Sequence, residues 1–110
     1  MTKITFYKIE EYLLGFEISG HIDGLEAGKN PLCAAISVAS QMTVLGIKDE
    51  LKLNPEIKIG DGYLKMIVKD CDQQNEKVQL LLQTCLDTLK QISSKNKKQV
   101  KLEVKENVFN

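Results

Sequence analysis

The apolar stripe Val78, Leu81, Leu82, Cys85, Leu89 and Ile92 constrains the fold of this chain more than any other feature. Its three- and four-residue spacing gives a helix over 73–93 with one apolar side, opened by Asp72 as a cap. Such a side is stable only when another layer covers it. The remaining sequence supplies that layer. Residues 3–9 alternate around Ile4 and Phe6. Residues 13–20 alternate with Leu14, Phe16 and Ile18 on one face, and Glu10-Glu11 turns the chain between the two. Residues 51–59 and 62–69 read as a second hairpin about Gly60-Asp61-Gly62, with Ile57 and Ile59 answered by Leu64, Met66 and Val68. Pro55 makes the first of these an edge or broken strand. Beyond the linker Lys95-Asn96-Lys97-Lys98, Val100, Leu102 and Val104 alternate in a last strand.

Residues 31–46 read as the other helix. Ala34, Ala35, Val38, Met42 and Leu45 recur at helical spacing, Asn30 is a good N-cap, and Pro31 suits the first helical position. Gly46 reads as its C-terminal stop. The order is therefore ββαββαβ: a two-layer α+β domain, residues 1–110, with a largely antiparallel sheet packed against two helices. At 110 residues the chain buries a core without staples.

Formal net charge is zero, so no bulk field draws the chain to nucleic acid or to an anionic membrane. Neither direct nucleic-acid binding nor membrane association is expected. No apolar stretch reads as membrane-spanning, and the start, Met1-Thr2-Lys3-Ile4-Thr5-Phe6, reads as a strand rather than a signal peptide. The three cysteines are widely spaced with no C-x-x-C pair. They point to free, reduced thiols in a cytoplasmic protein rather than to a disulfide framework or a zinc site.

Chemistry concentrates between residues 20 and 37. His21 is the sole histidine, and Cys33 follows it by twelve residues across a loop bearing Gly24 and Gly28. With Asn30 as cap and Pro31 first, Cys33 is the third helical residue. The positive end of the helix dipole favours an ionised thiol there. An imidazole brought back to it would act as base and acid, and helix-start N–H groups near Cys33 and Ala34 would stabilise an oxyanion. Ser37, one turn on, projects from the same side, where it either meets the sulfur or back-bonds to the helix. Cys85 belongs to the apolar stripe. Cys71, at a strand end between Asp70 and Asp72, reads as structural.

Gly20-His21-Ile22, then Gly28-Lys29-Asn30-Pro31-Leu32-Cys33-Ala34-Ala35-Ile36-Ser37, resembles the ribosomal-processing cysteine proteases of the Firmicutes type. Their pattern is Gly-His-Ala, a glycine-rich loop, then Gly-x-Asp-Ile-Val-Cys-Ala-Ala-Val-Ser. The resemblance implies an endopeptidase with Cys33 as nucleophile and His21 as general base and acid, working through a thioester without metal or cofactor. It implies removal of the N-terminal extension of the twenty-seventh large-subunit ribosomal protein, cut after aromatic residues. It also implies a homodimer and a substrate loop over residues 22–29. Asn30 stands where the family has Asp, Pro31 where it has Ile, and Ile22 where it has Ala. An Asp that only caps the helix is replaced by Asn at little cost, whereas one that orients the histidine is not. Two alternatives stay open: a noncatalytic ribosome-associated module of the same fold, and a redox-sensing thiol protein. A metal site lacks at least two ligands.

Overall fold

The computed structural model describes residues 1–20 and 30–106. Its elements run β1 (Thr2–Ile9), β2 (Tyr12–Ser19), α1 (Pro31–Leu45), β3 (Glu56–Gly60), β4 (Tyr63–Ile67), α2 (Glu76–Lys95) and β5 (Val100–Glu106). This is the expected ββαββαβ order. The strands form one sheet in the order β3-β4-β2-β1-β5. Every neighbouring pair is antiparallel except β1 and β5, which the crossover through α2 makes parallel. Both helices cover one face. Ile4, Phe6, Phe16, Met66 and Val100 from the sheet meet Ile36 of α1 and Val78, Leu82 and Leu89 of α2 in a single core.

The alternation of β2 breaks where sequence could not show it. Tyr7 pairs with Gly15 but Lys8 with Leu13, so Leu14 is an extra, bulged residue. Leu13 thereby enters the core, whereas Leu14 lines a cavity with Ile9, Ile67 and Cys71. Gly15 makes the bulge possible: its φ is +152°, and a Cβ there would lie 1.9 Å from the Met66 carbonyl oxygen. Gln79 of α2 secures the distortion. Its Oε1 accepts from the Leu13 N–H at 2.9 Å, and its Nε2 donates to the Leu13 carbonyl at 2.9 Å.

α2 carries its stripe as expected, with Leu86 added to the buried set. Its start differs. Asp70–Asp72 forms a separate 3-10 turn, and Asn75 caps the helix by accepting from the N–H groups of Lys77 and Val78. Cys71 sits in that turn and is exposed, so it is no core residue, whereas Cys85 is buried as read. Residues 51–55 precede β3 without joining it, and β3 is an edge strand as Pro55 implied.

The face of α1 is the main correction. Ile36, Ser40 and Thr43 are its buried residues, whereas Val38, Met42 and Leu45 are 58%, 67% and 52% exposed. The helix is apolar nearly all round, so periodicity did not identify its inner side. Ser40 and Thr43 enter the core because each hydroxyl donates to a carbonyl of the preceding turn, Ile36 and Ala39 respectively. Gly46 is no stop either. Its backbone is right-handed, and the run continues as a π-helical turn, Gly46–Glu50, closed by the Leu51 N–H on the Gly46 carbonyl. A Cβ on Gly46 would lie 3.0 Å from the Leu81 side chain, so the missing side chain serves close helix packing. Contrary to the sequence reading, the continuous run Pro31–Glu50 is long and apolar enough by composition to cross a membrane. Here it packs on the core through Ile36 and Ile47.

Candidate active site

Cys33 is placed by the chain's local chemistry. Asn30 is extended and buried, and its Oδ1 accepts from the N–H of Leu32 at 2.8 Å and of Cys33 at 3.3 Å. Pro31 fills the first helical position, where the absent N–H costs nothing. The half-buried thiol stands two residues further on, in the first turn of α1.

The sulfur-bearing residue opens onto a groove of about 630 Å³ between α1 and the β2-β4-β3 side of the sheet. Ser37, Gln41, Leu45 and Lys48 follow Cys33 along its helical bank. Ile18, Leu64, Ile57 and Ile59 form the sheet side. The sheet side is aliphatic and the helical bank mixes Cys33, Ile36, Val44 and Leu45 with Ser37, Ser40, Gln41 and Lys48, so the groove suits an extended peptide that is largely apolar. Gly20 closes one end. Its φ is +94°, and a Cβ would lie 2.3 Å from the Met1 carbonyl oxygen, so this turn out of β2 requires glycine. The Gly20 N–H donates to the Gly62 carbonyl at 2.9 Å, which fixes the point where the chain leaves for His21.

The structure thus brings Gly20, Cys33 and Ser37 to one groove, with Asn30 beneath the helix start. His21, Gly24, Gly28 and the loop 22–29 lie outside the described residues. Ala34 is exposed and lines a different, outward groove with Val38 and Met42. The helix-start donors are already engaged: Leu32 and Cys33 by Asn30 Oδ1, and Ala34 by the Asn30 carbonyl at 3.0 Å. An oxyanion at the Cys33 N–H therefore has to displace the longer of the two cap bonds. Ser37 Oγ accepts from Gln41 Nε2 at 2.8 Å, a partner that neither sequence reading of Ser37 named. Sequence reasoning also missed Ile57, Ile59 and Lys48 as site residues. The signal for the isoleucines was present, since both alternate on a strand that Pro55 marks as an edge.

A second polar cluster lies on the sheet face away from the helices. Tyr7 Oη donates to Glu17 Oε1 at 3.0 Å, and Tyr63 Oη donates to Glu17 Oε2. Burial, followed by the Glu17 hydrogen bond, pushes the Tyr7 hydroxyl up to about 12. The Tyr63 hydrogen bond, with help from Tyr7, holds the Glu17 carboxyl below its usual range. The Lys65 ammonium stands 5.5 Å from the centre of the Tyr7 ring. This network braces the sheet, and Tyr63 links it to the groove that it also lines.

The fold has known counterparts. The chain is similar to the essential ribosomal processing protease Prp of S. aureus, solved with a covalently linked product peptide, at 25% identity and a TM-score of 0.84. The match covers 96% of this chain and 100% of that one. It is similar to SMU.848 of Streptococcus mutans at 25% identity and a TM-score of 0.85, covering 97% of this chain and 99% of the other. A second structure of the S. aureus protease, with a substrate peptide, shares the fold at 23% identity and a TM-score of 0.79, covering 96% and 100%. No curated protein matches the chain. The family model described as cysteine protease Prp matches residues 1–101, and the chain belongs to that family of cysteine proteases.

Proposed function

We propose that this protease removes the N-terminal extension of the twenty-seventh large-subunit ribosomal protein in the cytoplasm, with Cys33 as nucleophile and His21 as its base and acid. One observation carries the reading: Cys33 of a cysteine-protease chain stands in the first turn of α1 and lines a largely apolar groove of about 630 Å³. The relative from S. aureus is a ribosomal processing protease solved with peptide bound, which supports the substrate class.

In the proposed reaction, the Cys33 thiolate attacks the scissile carbonyl carbon, and the carbonyl electron pair moves to oxygen. Collapse breaks the C–N bond, and His21 gives the leaving amine its proton. The resulting thioester is attacked by water, whose proton passes to His21, and the acid and the thiolate separate. No metal or cofactor enters these steps.

The proposal includes a homodimer. Ala34, Val38 and Met42 of α1 join Leu80 of α2 in an exposed apolar groove of about 810 Å³. An apolar patch rimmed by polar residues marks an interaction surface. Sedimentation of the wild type should give twice the chain mass, and Met42→Lys should return it to one.

The cleavage test uses the extended ribosomal precursor. Wild type should shorten it, and neither Cys33→Ala nor His21→Ala should. Cleavage surviving Cys33→Ala overturns the mechanism, and an uncut precursor with wild type overturns the substrate.

A further inference from the structure

We propose that the free edge of β3 takes up the substrate as an added strand, so that about five residues beside the cut are read through their backbone and through alternate side chains. The inference rests on the peptide substrate proposed above and adds how that peptide is held.

Among the described residues β3 is the outermost strand on its side of the sheet, and only β4 pairs with it. In an antiparallel pair, alternate residues direct their N–H and C=O groups away from the partner. The outer side of β3 therefore presents a short row of donors and acceptors. Its inner face carries Ile57 and Ile59, which pair with Met66 and Leu64 and line the same groove as Cys33. Ile59 is 79% exposed. An aliphatic side chain held open on a free edge favours association and is ordinarily selected against. The opposite edge, β5, likewise alternates charged and aliphatic residues, but its most open aliphatic side chain, Val104, is only 38% exposed.

α1 and the π-helical turn after it supply the other wall, since Gln41, Leu45 and Lys48 line the same groove as Ile57 and Ile59. A strand added to β3 would bury every second side chain between these walls and turn the others to solvent. The edge has defined ends. Pro55 precedes it and lacks an N–H, and the turn at Asp61 and Gly62 follows it, leaving the five residues of Glu56–Gly60. The same groove continues to Gly20 and Cys33, so a chain leaving the β3 edge reaches the thiol without a change of surface. The occupant that fits is an extended peptide with apolar residues at alternate positions, and the segment flanking the cleaved bond is the one that must lie there.

The probe is a synthetic peptide covering the precursor's extension and its cleavage junction, together with a set carrying one N-methylated residue each. Binding is measured by fluorescence anisotropy on Cys33→Ala, which separates docking from turnover, and kcat/KM is measured on wild type. Over a stretch of about five residues, N-methylation should weaken binding at least tenfold at alternate positions and little between them. Ile59→Asp, whose side chain is largely in solvent, should keep the native circular dichroism and raise KM about tenfold with kcat little changed. A loss without two-residue period, no binding of the unmodified peptide, or an Ile59→Asp variant with unchanged KM overturns the inference. Binding with the period but no cleavage by wild type leaves the inference standing and defeats the proposed reaction instead.

Discussion

α1 and α2 lie side by side on one face of the sheet and divide their work in opposite ways. α2 is one-sided: Val78, Leu82, Cys85, Leu86 and Leu89 are buried, and its outer side is polar apart from Leu80, which is 67% exposed. α1 buries Ile36, Ser40 and Thr43 and exposes Val38, Met42 and Leu45. A helix that is apolar all round has more apolar surface than one core can cover, so part of it is left for other contacts. α2 is therefore scaffold. α1 touches the core on one side, borders the Cys33 groove on another, and presents an open apolar face on a third.

That contrast can be broken most decisively in the core. Leu82 and Leu89 are 0% exposed, so Leu82→Ala or Leu89→Ala should cost about 2–5 kcal/mol in urea unfolding. Val38→Lys or Met42→Lys in α1 should change the stability of the monomer by less than about 0.5 kcal/mol. A large loss at Met42 would mean that α1 is scaffold as well.

Next in size is the clamp between α2 and the bulge. Gln79→Ala leaves the Leu13 N–H and carbonyl without their side-chain partner and should cost about 1–3 kcal/mol. The caps offer a sharper comparison, because each helix starts with an asparagine that accepts from two N–H groups. Asn30→Ala and Asn75→Ala should each cost about 1 kcal/mol. Only Asn30→Ala should also change kcat, since its cap bond engages the Cys33 N–H. Equal, purely structural effects would remove Asn30 from the site.

The smallest effect lies on the far face of the sheet. The Tyr7 hydroxyl is raised from 10.0 to about 12, so the folded state holds this proton more tightly than the unfolded state. Its contribution is complete below pH 10 and is lost as pH rises toward 12. Glu17 is lowered, so its contribution is present above the ordinary carboxylate range and is lost as pH falls through the folded value. Tyr7→Phe should flatten the alkaline limb of a stability–pH curve, and Glu17→Gln the acid limb. Unaltered limbs would show that this network does not couple to folding.

The same two helices show what was legible in the sequence. α2, the hairpins and the edge position of β3 could be read because each pattern had one solution: polar residues marked the outer side, and Pro55 marked the edge. The inner face of α1 had no such marker. Ser40 and Thr43 look polar in a sequence, yet each satisfies its hydroxyl within the helix and can be buried. Leu14 failed for a different reason. Gly15 permits a bulge, but only the pairing of Tyr7 and Lys8 with β2 shows that one is used. At the site, Cys33 and its Asn30-Pro31 start followed from local capping chemistry. The β3 wall of the groove did not, because it comes from residues more than twenty positions away whose approach depends on the sheet order.

The central claim is that the Cys33 thiol on α1 is the nucleophile facing a peptide-binding groove. A chloromethyl ketone built on the peptide that ends at the proposed cut tests it directly, with the labelled residue identified by mass spectrometry. Cys71 is exposed and serves as an internal control, and Cys85 is buried with a thiol pushed up by that burial. The account predicts one adduct, on Cys33, blocked by excess uncleaved peptide and absent from Cys33→Ala. Labelling of Cys71 in preference to Cys33, or labelling that excess peptide does not slow, would contradict it.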